Sequence, residues 1–111
     1  MNRRIPVSPD DIEQALLWAI SDPIRHKIIV HLSARPQSVG KLASRFPIVR
    51  AAISRHLKIL LDAGLVTSRR TGPFNIYAVR PEPLEHLRTH FSQISHEASR
   101  AREAEPWLDA A

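Results

Sequence analysis

Gly64 divides this chain into two kinds of pattern. Before it, apolar residues recur every three or four positions, the spacing of one helix face. After it come two short β-prone runs, residues 65–70 and 75–79. They flank Thr71-Gly72-Pro73-Phe74, which is turn chemistry. A helical pattern then restarts at Pro81 and Pro83. This order predicts a mainly α chain with one small β-hairpin set between its fourth and fifth helices.

The helix starts are marked by caps. Ser8-Pro9-Asp10-Asp11 supplies an N-cap, a proline at the first helical position and acids in the first turn. Ile12, Leu16 and Ile20 follow on one face. Asp22-Pro23 repeats the signal, with Ile24, Ile28, Ile29 and Leu32 behind it. Ser38 caps a third helix with Val39, Leu42, Ala43 and Phe46 inward, and Pro47 is expected to end it. A turn of about three residues, by the usual helix-turn-helix pattern, then leads to a fourth helix over 50–64, where Gly64 makes a C-cap. The last helix, expected over 82–105, carries Leu84, Leu87, Phe91, Ile94, Ala98 and Ala101 at alternating steps of three and four. That is a heptad-like seam, the narrow stripe of helix-to-helix association, and it predicts a dimer.

At 111 residues and 43% hydrophobic content, the chain suits a single domain spanning 1–111 with one core. It has no Cys, which excludes disulfides and thiolate metal or redox sites. No apolar run approaches the ~20 residues that span a bilayer, and no apolar stretch follows the N-terminal Arg3-Arg4. A cytoplasmic protein without a membrane partner is expected. The net charge of +5 is unevenly placed: +3 over residues 1–46, +5 over 47–80 and −3 over 81–111. A basic centre suggests a polyanion met by one face of the molecule.

The fourth helix, "RAAISRHLKILLDAG", sits in that basic centre. At 100° per residue, Ile53, Leu57 and Leu60 share one arc, with Val49 at its edge. Arg50, Ala51, Ser54, Arg55, Lys58 and Asp62 share the other. Small residues beside Arg let a helix lie close to another surface while long donors reach past. The major groove of double-stranded DNA admits such a helix, and Arg can bond guanine through two donors. A short helix, a turn and this longer helix make a helix-turn-helix over 38–64, followed by a basic hairpin over 65–80.

Three segments carry a family resemblance: "SDPIRHKIIVHL" (21–32), "ISRHLKILLDAGLV" (53–66) and "SRRTGPFNIYAV" (68–79). They resemble the winged helix-turn-helix repressors of the ArsR/SmtB family, with the order of elements kept over about residues 12–100. The resemblance implies a homodimeric transcriptional regulator with five helices plus a wing, binding an inverted-repeat operator. It places Arg50, Ala51, Ser54 and Arg55 where the family contacts bases, with Lys58 on the same face. Ser38 and Lys41 fall at the phosphate-facing start of the third helix. Arg69, Arg70 and Asn75 fall on the wing. The first and last helices would form the dimer interface, through Leu16, Ile20, Leu84, Leu87, Phe91, Ile94 and Ala98.

Some residues depart from the family. Val49 stands where Ser or Thr often caps the recognition helix. Phe74 is expected to pack in the wing loop, with a wedge at the groove as the alternative. The family's metal sites are broken: there is no Cys, Leu84 stands two residues before His86, and Glu97 stands eleven after it. His86, His90 and Glu97 share one side of the last helix, yet no third and fourth ligand can be named, so no metal or other cofactor is expected. An unidentified effector remains open as a partner. His56 reads as a packing residue, with phosphate contact as second choice, and Arg25 as an anchor of helix packing. Ser54 and His56 point about 160° apart, so they form no nucleophile–base pair, and no phosphate loop or spaced carboxylate pair suggests an enzyme. The competing reading is a winged-helix module that binds another protein without reading DNA sequence.

Overall fold

A computed structural model describes residues 8–107. Its elements in chain order are α1 (Pro9–Ile20), α2 (Pro23–Ala34), β1 (Gln37–Ser38), α3 (Val39–Ala43), α4 (Arg50–Asp62), β2 (Val66–Thr71), β3 (Phe74–Val79) and α5 (Pro81–Ala104). No helix among the described residues is long and apolar enough to cross a membrane.

Local chemistry accounts for most of these boundaries. Ser8 and Asp11 form a reciprocal capping box at α1. The Asp22 carboxylate accepts from the Ile24 and Arg25 N–H groups at 2.9 and 3.1 Å and starts α2. The Ser38 hydroxyl accepts from Lys41 N–H at 3.2 Å and starts α3. α4 begins at Val49 with no side-chain cap, as its residue type implies. It ends where Gly64 takes φ +79. There the N–H groups of Gly64 and Leu65 reach back to the carbonyls of Leu61 and Leu60, a Schellman ending that a side chain at residue 64 would strain.

Three expectations need correction. α3 stops at Ala43 rather than at Pro47, and the connector to α4 covers residues 44–49. The N–H groups of Arg45 and Phe46 tighten onto the carbonyls of Leu42 and Ala43, and Pro47 disfavours helical backbone at Phe46. The half-buried Phe46 still turns inward, edge-on to His31 at 5.4 Å. The hairpin tip is tighter than expected. Thr71 pairs with Phe74, leaving only Gly72, at φ +58, and Pro73 as the loop. A positive φ followed by the fixed negative φ of proline suits a two-residue hairpin turn. Finally, Phe74 is 56% exposed, so it is no packed loop residue. Its pairing with Thr71 lifts it onto the strand end, beyond the reach of the core.

The sheet has a third strand that periodicity did not reveal. β1 pairs antiparallel with β3, giving the order β1-β3-β2. Gln37 of β1 is buried and satisfied: its Nε2 donates to the carbonyls of His31 and Arg35, and its Oε1 accepts from Arg45 Nε. The core lies between α1, α2 and α4, with Leu16, Ala19, Ile28, Ile29, Leu32, Ile53, Leu57 and Leu60 buried. Leu42, Leu65, Val66 and Leu87 close it from α3, the base of the hairpin and α5. Leu84 and Ile20 pack against this cluster. From Phe91 to Trp107 every residue is exposed.

Candidate nucleic-acid interface

The core that α4 helps to build also orients its other side. With Ile53, Leu57 and Leu60 fully buried, Arg50, Ala51, Ser54, Arg55, Lys58 and Asp62 all lie in solvent. They do not stand alike. Lys58 Nζ is held by the Asp62 carboxylate at 3.1 and 3.2 Å, an exposed pair one turn apart. The Arg50 guanidinium lies over Gly40 of α3, where an added Cβ would sit 3.4 Å from Nη1. Arg50, Arg55 and Arg69 have no carboxylate partner among the described residues. Arg55, Ser54 and Ala51 are thus the part of this face that extends into open solvent without an internal charge partner.

The start of α3 lies beside the start of α4. Ser38 is half-buried and its hydroxyl is engaged as the cap, though a hydroxyl that accepts one bond can still donate its proton. Lys41 is exposed one turn along. At α4 the missing cap leaves the first N–H groups without a side-chain acceptor.

Strand register divides the hairpin's bases between two faces. Val66 is buried, so Ser68 and Arg70 share its inward-facing side, and their partners Tyr77 and Asn75 lie there too. Arg69 falls on the opposite side with Ile76 and Phe74. Arg70 Nε donates to the Gly72 carbonyl at 3.0 Å, which folds this side chain along the tip. The sixth base of the central segment, Arg80, is structural: it donates to the Gly64 carbonyl at 3.3 Å and pairs with Glu82 at 3.7 Å.

The proposed dimer residues also separate. Leu16 and Leu87 are buried in the protomer's own core, and Ile20 and Leu84 pack against it. Phe91 and Ile94 are 50% and 49% exposed, and Ala98 is exposed beyond them.

Two polar clusters escaped the sequence reading because their members are far apart in the chain. Glu13 of α1 receives both His86 and His90 of α5, with Oε1 at 3.1 Å from His86 Nε2 and Oε2 at 3.2 Å from His90 Nδ1. These are hydrogen-bond distances, and Glu97 lies two turns further along the exposed half of α5. Among the described residues no group of three or more His, Asp and Glu is arranged to hold a metal ion. The second cluster joins Asp22, Arg25 and His56. Arg25 is 7% exposed and reaches His56 Nδ1 at 3.3 Å, so both residues do pack, but against each other. Only the apolar edge position of His56 hinted at this.

A short helix, a connector and a basic-faced helix, followed directly by a β-hairpin, define a winged helix-turn-helix protein. The family model for bacterial regulatory proteins of the arsR family matches residues 22–68. The HTH-type transcriptional regulator Rv2034 of Mycobacterium tuberculosis is 42% identical over 87 residues, which cover 78% of each chain. The transcriptional repressor SdpR of Bacillus subtilis is 37% identical over 67 residues, 60% of this chain and 74% of that one. A homodimeric winged helix-turn-helix domain of Mycobacterium bovis, Mb0332, shares the fold at 21% identity. Its TM-score is 0.66 over 87% of this chain and 92% of that one. The chain belongs to the arsR family of bacterial transcriptional regulators.

Proposed function

We propose that this protein is a repressor that binds an inverted-repeat operator as a homodimer and blocks transcription from it. The observation that carries the reading is the outer face of α4. Arg55, Ser54 and Ala51 stand exposed there, with no acid partner among the described residues, on a helix whose other side is locked in the core. Arg55 and Ser54 would contact base edges, with Arg50 and Ala51 at the helix start. Phosphates would meet Ser38, Lys41 and the uncapped N–H groups of α4. The wing would straddle the flanking backbone with Arg70 and Asn75 on one side and Arg69 on the other. Lys58 contributes to the field of this face while tied to Asp62.

The domain divides by role into the helix-turn-helix 38–64, the wing 65–80 and the terminal helix 82–105. Two-fold symmetry would set two recognition helices roughly 34 Å apart, on successive major-groove faces. The protein acts in the cytoplasm as a binder rather than an enzyme. An effector that releases it from DNA is a further partner of unassigned chemistry.

Arg55→Ala tests the reading. Its expected cost is about 1–3 kcal/mol on a selected operator, with relaxed preference at one base position. Arg69→Ala should weaken all duplexes alike and lower the salt slope by about 1. Equal losses on selected and random DNA for Arg55→Ala, measured by fluorescence anisotropy, would remove the base-reading role.

A further inference from the structure

The polar cluster behind α4 is not used by its DNA-facing side. Arg25 spends two arms on the end of α1: Nε donates to the Ala19 carbonyl at 2.5 Å and Nη2 to the Trp18 carbonyl at 3.4 Å. Its guanidinium also lies 5.1 Å from the centre of the Trp18 ring. The third arm, Nη1, meets His56 Nδ1 at 3.3 Å. Among the described residues this is the one side-chain hydrogen bond between α4 and another element. It matters because α4 has no cap to fix its start. The residue it holds is the immediate neighbour of Arg55.

We propose that Arg25 and His56 are a positioning pair for the recognition helix, and that the pair holds only while His56 is neutral. The inference rests on the recognition-helix reading of α4 given above. A guanidinium only donates, so Nδ1 must carry a lone pair and the ring proton sits on Nε2. A second proton converts Nδ1 to a donor. The bond to Arg25 is then lost and two cations face each other. Asp22 Oδ2, 3.9 Å from the same Nδ1, becomes the ring's partner. The ionisable groups facing the ring are therefore Asp22 and Arg25 of α2. α1 faces it with the end that carries the Trp18 and Ala19 carbonyls. On α4 itself, Arg55 and the Lys58–Asp62 pair stand on the exposed side. Imidazole is the side chain whose charge changes near neutral pH. Acidification would thus exchange an inter-helix tie for a contact with the α2 cap. Operator preference would fall while sequence-independent attraction, helped by one more positive charge, would remain.

The test uses the full chain at constant ionic strength. A duplex enriched by the protein from a randomised library at pH 8 is compared with a random duplex of equal length, at pH 8 and pH 6. For the unaltered protein the ratio of the two affinities should fall about fivefold on acidification, the worth of one ordinary hydrogen bond. His56→Leu should show the lowered ratio at both pH values. His56→Asn returns an acceptor near the place of Nδ1 without a titrating ring, and should recover most of the lost ratio and flatten its pH dependence. An unchanged ratio in His56→Leu at pH 8, or a His56→Asn curve that follows the unaltered protein, would overturn the positioning pair alone. Failure to enrich any sequence would instead sink the recognition-helix reading, and this inference with it.

Discussion

At Asp22 a single carboxylate oxygen accepts two backbone N–H groups and also stands within reach of His56. Its carboxyl is held below the usual carboxylate range. The largest cause is the Arg25 N–H bond; desolvation, the next largest, opposes it, and the Ile24 N–H and the charges of His56 and Arg25 add to the lowering. A depressed pKa in the folded state stabilises the fold above the unfolded-state pKa. That contribution is lost as pH falls through the folded value. The affected window therefore lies below about pH 4. Asp22→Asn keeps a good capping acceptor and removes the ionisation. The gap in melting temperature between the two proteins should close as pH drops from 6 to 2.5. Parallel curves over that range would show that the charge contributes nothing.

The element that departs most from its local rules is α4. The two helices before it, α2 and α3, start with Asp22 and Ser38, whereas Val49 is 70% exposed and caps nothing. Val49→Ser should supply an oxygen to the first turn and raise stability by about 0.5–2 kcal/mol. Urea unfolding measures this directly, and an unchanged midpoint would mean that α4 already satisfies its start another way. The helix's period was fully legible in the sequence, because Ile53, Leu57 and Leu60 leave no other face to bury. The wing was legible in outline. Its division into two faces was not, because Arg69 and Arg70 are adjacent in sequence and only strand register separates them. Two-residue β1 carries too little pattern to be seen before its partner strand is in place.

At the scale of the whole molecule, α5 is longer than the body it springs from needs. Its 24 residues would extend about 36 Å. Leu84 and Leu87 anchor the first turns to the core, and from Phe91 to Trp107 no residue is buried. A half-exposed Phe91 and Ile94 on a helix that leaves its own domain favour a second copy as cover. Phe91→Glu should leave the protomer folded, since Phe91 lies outside the core cluster, and should dissociate the proposed dimer. Sedimentation velocity distinguishes the outcomes: a variant that still runs as a dimer would take Phe91 out of the interface. The single seam read along the sequence serves two ends. Leu87 fills the protomer's core with Leu84 packed against it, and the exposed remainder is what a partner can meet.

The sequence by itself determined the order of the five helices and the hairpin, the buried sides of α2 and α4, the ends marked by Ser8, Asp22, Ser38 and Gly64, and the basic face of α4. Each of these follows from interactions within a few residues or from a periodicity that one element carries alone. Only the tertiary structure decided that Arg50 lies over Gly40 and that Arg80 reaches the Gly64 carbonyl, which wing residues share a side, and how Phe74 came to lie outside. It alone brought Arg25 to His56 and Glu13 to two histidines. Those pairings join residues more than thirty positions apart, and no local spacing encodes them: they exist because the core sets the distance between helices.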